Sequence, residues 1–318
     1  MKSGSSHGAS LDWVASRIRN GRYASERISD RVATLPGMIS MEERRLLSFV
    51  TANAWDPATS IIDGGCFLGA STGALAEGLR RNKGFHGQQG VIHSYDLFQA
   101  DAYMADVYLK DAGIEVGGSF QDLFLANIEA DRDLVTVHPG DVRTHEWNGT
   151  PIGILFLDML WSWDVNAFAM KHFYRHLSEP GSLVVHQDYV YAWYPWLPIT
   201  MEYFSEHFEF IGYVPLATVV FRCRKSLSAD EAAIDMLRDN TPETLLSLMD
   251  RVVDRFSGWQ RGVLECSRAS LLRYLDRNDQ ARDALHVVLE RYRDDEAPVR
   301  FARQILSLVD AGAPTRLS

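Results

Sequence analysis

The sequence predicts an α/β fold: a mostly parallel sheet ended by an antiparallel hairpin, with an all-helical region after it. Three observations predict it. From residue 59 to about 190, short apolar runs alternate with stretches of helical spacing, the pattern of a parallel sheet covered on both faces. Residues 207–214 and 216–223 then form two strand-like runs with almost nothing between them, so they pair as a hairpin. Residues 228–318 carry helical periodicity and almost no strand signal.

Taken in order, residues 11–20 and 41–55 read as helices. Between them Leu35-Pro36-Gly37-Met38-Ile39-Ser40 breaks the pattern, and Ser40 with Glu43 three residues on forms a capping box. Asp56-Pro57 stops the second helix. Strands are expected at 59–63, 91–96, 134–138, 152–158 and 182–187, each a short continuous apolar run as suits a strand buried on both faces. Helices fit 71–82, 119–130 and 164–177. In the tail, apolar residues such as Leu264, Leu271, Leu275, Leu285, Val288, Ile305 and Leu308 recur at helical intervals, broken near Arg277-Asn278-Asp279 and Asp294-Asp295. The division implied is a helical lead over 1–55, a sheet domain over 56–225 and a helical domain over 226–318.

The 318 residues are 46% hydrophobic and 23% charged, an ordinary globular balance. A net charge of −10 argues against a nucleic-acid partner, which selects a basic surface. No apolar stretch reaches the ~18–20 residues of a membrane span. Cys66, Cys223 and Cys266 are odd in number and far apart, which suits neither a disulfide framework nor a metal knuckle and fits a reducing, cytoplasmic setting. The opening Met1-Lys2-Ser3-Gly4-Ser5-Ser6-His7-Gly8-Ala9-Ser10 lacks the apolar core of a secretory leader and reads partly as an expression remnant. The tail is expected to pack or to support a homodimer.

Chemistry is expected at the strand ends. Ile61-Ile62-Asp63-Gly64-Gly65-Cys66-Phe67-Leu68-Gly69-Ala70-Ser71-Thr72 reads as strand, glycine-rich turn and helix start. Its glycines let backbone approach a ligand, and Ser71 and Thr72 sit at a helix N-terminus. It contains neither G-x-x-x-x-G-K-[ST] nor G-x-G-x-x-G, so it is not a common phosphate loop. Asp96 ends the second strand, where a carboxylate can accept two hydrogen bonds from a ribose diol; a plain turn cap is the bland alternative. His138-Pro139-Gly140-Asp141-Val142 follows the third strand and, alone, is an ordinary turn. Asp158 ends the fourth strand and Asp188 follows the fifth, so the two can converge on one cation or act on one proton. His186 is a further candidate base, set against a buried histidine bonded within the core. Strand alternation puts His186 and Asp188 on one face and Gln187 on the other. Trp161, Trp163, Tyr191, Trp193, Tyr194 and Trp196 surround this end, suiting a sugar or planar acceptor, or equally a core contact.

Together these five segments, spread over residues 35–223 and about 60% of the chain, resemble the class I S-adenosylmethionine (SAM) methyltransferases, with a Rossmann-like sheet. Within them the chain is most similar to the macrocin O-methyltransferase-like (TylF-like) branch, which acts on sugars and other natural-product hydroxyls. The resemblance implies SAM as cofactor. Asp63, Gly64, Gly65, Phe67, Gly69, Ser71 and Thr72 would face its methionine end, Asp96 and Leu97 its ribose, Asp141 and Val142 its adenine, and Asp158 its sulfonium. It implies a small-molecule acceptor, with Asp158, His186 and Asp188 as catalytic candidates. The magnesium-dependent members carry further carboxylates where this chain has Leu160 and Gln187. Asp158 and Asp188 are then the candidate Mg²⁺ ligands, in a poorer set of two carboxylates and an amide. Two other readings stand beside this one: a binding protein that kept the fold, and a different reaction on it.

Overall fold

The computed structural model describes residues 10–313. The opening stretch therefore lies outside the described residues, apart from Ser10, which caps the first helix. Helices run α1 Leu11–Arg19, α2 Asp30–Thr34 and α3 Met41–Ala54. The Ser40–Glu43 capping box forms at the start of α3, with both reciprocal bonds present. Strands β1 Ser60–Gly64, β2 Ile92–Asp96, β3 Val135–Pro139, β4 Ile152–Leu157 and β5 Leu183–His186 alternate with α4 Ala70–Arg81, α5 Ala102–Val107, α6 Gln121–Asn127 and α7 Trp163–His172. The helix expected over 119–130 ends at Asn127, and the one over 164–177 at His172; each continues as a tighter turn.

After β5 comes α8 Trp196–Tyr203, a helix hidden in the sequence by its aromatic and proline content. The hairpin β6 Phe208–Val214 and β7 Thr218–Cys223 follows. The sheet order is β3-β2-β1-β4-β5-β7-β6, with β7 antiparallel to both neighbours. This is the Rossmann-like α/β sheet with a terminal hairpin that the sequence implies. Every residue of β1, β4 and β5 is buried, which is why these strands read as unbroken apolar runs.

The tail folds as α9 Ala229–Ala232, α10 Pro242–Asp254, α11 Gly258–Tyr274, α12 Asn278–Arg291 and α13 Glu296–Asp310. Its apolar residues, Leu264, Leu271, Leu285 and Ile305 among them, belong to one continuous core with Leu155, Val184, Val219 and Phe221 on one face of the sheet. The opposite face packs α1, α3 and α4 through Val14, Leu46, Val50 and Leu75. Buried Glu202 on α8 ties the tail on, receiving Arg251 Nε at 2.7 Å and pairing with Arg255. Among the described residues no helix is long and apolar enough to cross a membrane. All three cysteines are free and buried.

Candidate active site

The carboxyl ends of β1, β2, β4 and β5 open onto one cleft, the position where ligands bind in sheets of this kind. Its larger lobe, about 490 Å³, is lined by Gly65, Cys66, Phe67, Ser71, Asp96, Leu97, Asp158, Leu160, Gln187, Asp188, Tyr194 and Leu197, with Met38 and Ile39 from the loop before α3. A second lobe, about 300 Å³, is lined by Gly140, Asp141, Val142, Arg143, Ser162 and Val165. The lobes share Gly65, Asp96, Leu97, Met159 and Trp161, so they form one elongated space. Both volumes suit part of a small ligand.

The turn after β1 is shaped by backbone demands. Gly65 has φ +85°, and a Cβ there would lie 2.3 Å from the Asp158 carbonyl oxygen, so only glycine lets β1 and β4 close at the floor. Gly69, with φ +96°, starts α4 and leaves room for Ile128. Phe67 takes φ 43° and sends its N–H to Asp96 Oδ2 at 2.8 Å. The Phe98 N–H donates to Asp96 Oδ1, also at 2.8 Å. Each oxygen keeps a second lone pair, so Asp96 is aimed and can still accept from a diol. Burial raises its carboxyl, and these two backbone bonds oppose that rise.

Not every predicted residue of the loop reaches the cleft. Asp63 and Thr72 are fully buried and bonded to each other, Thr72 Oγ1 donating to Asp63 Oδ2 at 2.5 Å, with Ser94 Oγ at 3.3 Å. Neither lines the cleft. Burial pushes Asp63 up to about 6, and its Oδ1 has no partner among the described residues. The space beside Gly64 is taken by the Met159 side chain. At the far end Asp141 is held by Arg143, Nη2 to Oδ2 at 2.7 Å, and these bonds lower its carboxyl.

His186 is the clear correction. It is fully buried, shares a 2.9 Å hydrogen bond with the Tyr174 hydroxyl, and does not line the cleft. Burial lowers its imidazole to about 3, so it stays neutral inside the core. Alternation along β5 sends it there, but the expected pairing of faces ends with the strand. Asp188 adopts φ 59°, and that left-handed step turns Asp188 to the cleft beside Gln187.

Asp158 and Asp188 meet in the larger lobe. Burial, then the charge of Asp188, holds Asp158 well above the usual carboxylate range. Burial, then Glu43, pushes Asp188 up to about 6. Such a pair is suited to share and accept a proton near neutrality. As a magnesium site it is incomplete: among the described residues no cluster of three or more His, Cys, Asp or Glu is built to hold a metal ion. The donor set of two carboxylates and an amide does not fit that ion well.

The aromatic set divides. Trp161, half exposed, lines both lobes, and Tyr194 lines the larger one. Trp163 and Trp196 are buried and tilt against each other at 5.5 Å, and Tyr191 meets Phe301 of α13 edge-on at 5.2 Å. Sequence reasoning missed Met38 and Ile39 in the loop before α3, Gln99 in the loop after β2 and Met104 on the short helix α5.

No protein-family model matches the chain, and no curated protein matches it in sequence. Among solved structures it is similar to one described as the crystal structure of CalS11, a calicheamicin methyltransferase. That likeness has 16% identity and a TM-score of 0.42, and covers 69% of this chain and 99% of that one.

Proposed function

We propose that the chain is a SAM-dependent methyltransferase that methylates a hydroxyl of a small molecule, a sugar-bearing or aromatic natural product. The observation that carries this reading is Asp96, fixed by two backbone N–H groups at the middle of a two-lobed cleft. The shape fits SAM: a carboxylate for the ribose, the Gly140–Val142 lobe for the adenine, and the Gly65–Phe67 turn with Ser71 toward the methionine. When bound, SAM supplies a methyl group on positively charged sulfur, already activated for transfer.

The chain's own task is then alignment and proton removal. Trp161 and Tyr194 offer flat faces to an acceptor ring. As the acceptor oxygen bonds to carbon, its hydroxyl proton passes to the Asp158–Asp188 pair, with Asp188 the better-poised base. Asp96→Ala tests the cofactor half. Calorimetry should show S-adenosylhomocysteine binding to the parent protein and a loss of about 2 kcal/mol in the variant, as for hydrogen bonds to a charged group. No binding to the parent protein ends the reading. A candidate acceptor incubated with methyl-labelled SAM should gain one methyl, read by mass.

A further inference from the structure

Thr218 on β7 is fully buried and sits between two side chains that both need its single hydroxyl hydrogen. Its Oγ1 lies 2.5 Å from Glu43 Oε1, and it also contacts the amide end of Gln187, with Oε1 placed on that side. Glu43 is buried too, and its other oxygen already accepts the Ser40 N–H at 2.6 Å. A carboxylate can only accept, so the Thr218 hydrogen goes to Glu43. The Gln187 atom facing Thr218 must then be the donor, Nε2, because two oxygens cannot share that contact without a hydrogen. Amide nitrogen and oxygen exchange places by a half-turn, and hydrogen-bond accounting decides between them. Gln187 lines the cleft, and its other amide atom has no protein partner among the described residues.

We propose that Gln187 presents its carbonyl oxygen to the acceptor lobe, with Glu43 and Thr218 as positioning residues, and that the lobe selects an acceptor rich in hydrogen-bond donors, amine-bearing above all, and rejects anionic ones. The lobe's composition agrees independently. Among the described residues its lining includes Asp96, Asp101, Asp158 and Asp188, and no Lys, Arg or His. Asp96 and Asp101 are engaged by backbone N–H groups, whereas burial and neighbouring carboxylates, with no hydrogen bond from the described residues, set the state of Asp158 and Asp188. The polar groups at the ends of β4 and β5 thus become a carboxyl pair that holds one proton between them and a carbonyl, a set with acceptor oxygens in excess and a net negative charge. An ammonium beside the reacting hydroxyl satisfies them; a carboxylate or phosphate there meets only like charge.

This inference rests on the methyltransferase reading for the word acceptor, but not for the amide orientation. A neutron structure of the deuterium-exchanged full chain reads that orientation directly. The expected result is two deuterons on the Gln187 atom facing Thr218, the Thr218 deuteron toward Glu43, and none on Glu43. A Thr218 deuteron toward Gln187, or a deuteron on Glu43, overturns it. Saturation-transfer NMR with phenyl β-D-glucosaminide and phenyl β-D-glucuronide tests the selectivity. The amine probe should give roughly fivefold or more the signal of the acid, by like-charge exclusion. Thr218→Val should move that ratio toward parity and Thr218→Ser restore it. A glucuronide signal equal to or above that of the glucosaminide, with both at zero included, overturns the selectivity. S-adenosylhomocysteine calorimetry on the same protein reports separately whether the methyltransferase reading itself has failed.

Discussion

Asp188 shows what a single backbone angle decides. Its φ of 59° takes it off the plan of β5 and into the cleft, where burial raises its carboxyl from the ordinary 3.8 to about 6. A raised folded value means that its contribution to stability is fully present below about 3.8 and is lost as pH rises through about 6. Asp63, also raised to about 6, acts in the same direction. At pH 8, Asp188→Asn should therefore stabilise the protein by about 1–2 kcal/mol, a rise of a few degrees in Tm by calorimetry. The same substitution should cut the proposed methyl transfer by about 100-fold or more, because it removes the proposed base. In the parent protein, transfer should fall as pH drops through about 6, read as a pH–rate profile. A profile flat from pH 5 to 8 would remove Asp188 from the role of base.

At the scale of elements, the turn between β1 and α4 is the least replaceable. Gly65→Ala adds both a left-handed strain of about 1–2 kcal/mol and a collision with the Asp158 carbonyl. Thermal unfolding should report a loss of at least about 2 kcal/mol, and S-adenosylhomocysteine binding should disappear with it. The strands, their ends and the glycine turn were legible in the sequence because each rests on a local signal: an apolar run, an acidic residue at its end, glycine where φ must be positive. The Ser40–Glu43 cap was legible for the same reason. What escaped depended on contacts distant in sequence. Nothing in Leu183–Asp188 says that His186 finds Tyr174 or that Asp188 turns left-handed. Trp196–Tyr203 is helical because its aromatic and aliphatic side chains are buried against α7, α10 and the tail, not because of propensity. Thr72 read as a cofactor contact because the motif gives its position; the Asp63 carboxylate behind it takes the hydroxyl instead.

For the whole molecule, the tail and the sheet share one core, so they should melt together. Phe256, after α10, meets Tyr189, Phe210 and Tyr213 at centroid distances of 6.4, 6.1 and 6.3 Å, joining the tail to the strands beside the cleft. Phe256→Ala should cost about 2–3 kcal/mol, less than a fully buried phenylalanine, and should lower a single calorimetric transition without splitting it. Two separated transitions would mean that the tail unfolds as its own unit.

Among the described residues the lining of the larger lobe holds no Lys, Arg or His, which on the proposed reading bears on turnover as well as on choice of acceptor. When the methyl group leaves, its sulfur carrier gives up a positive charge, and the uncompensated aspartates lose an attraction of about 1–2 kcal/mol for a partly screened pair a few ångströms apart. On the proposed methyltransferase reading, spent cofactor should thus be expelled by the same walls that drew in the fresh one, a discharge stroke that limits product inhibition. Its signature is a Kd for S-adenosylhomocysteine roughly tenfold above that for SAM, a ratio that Asp188→Asn should narrow.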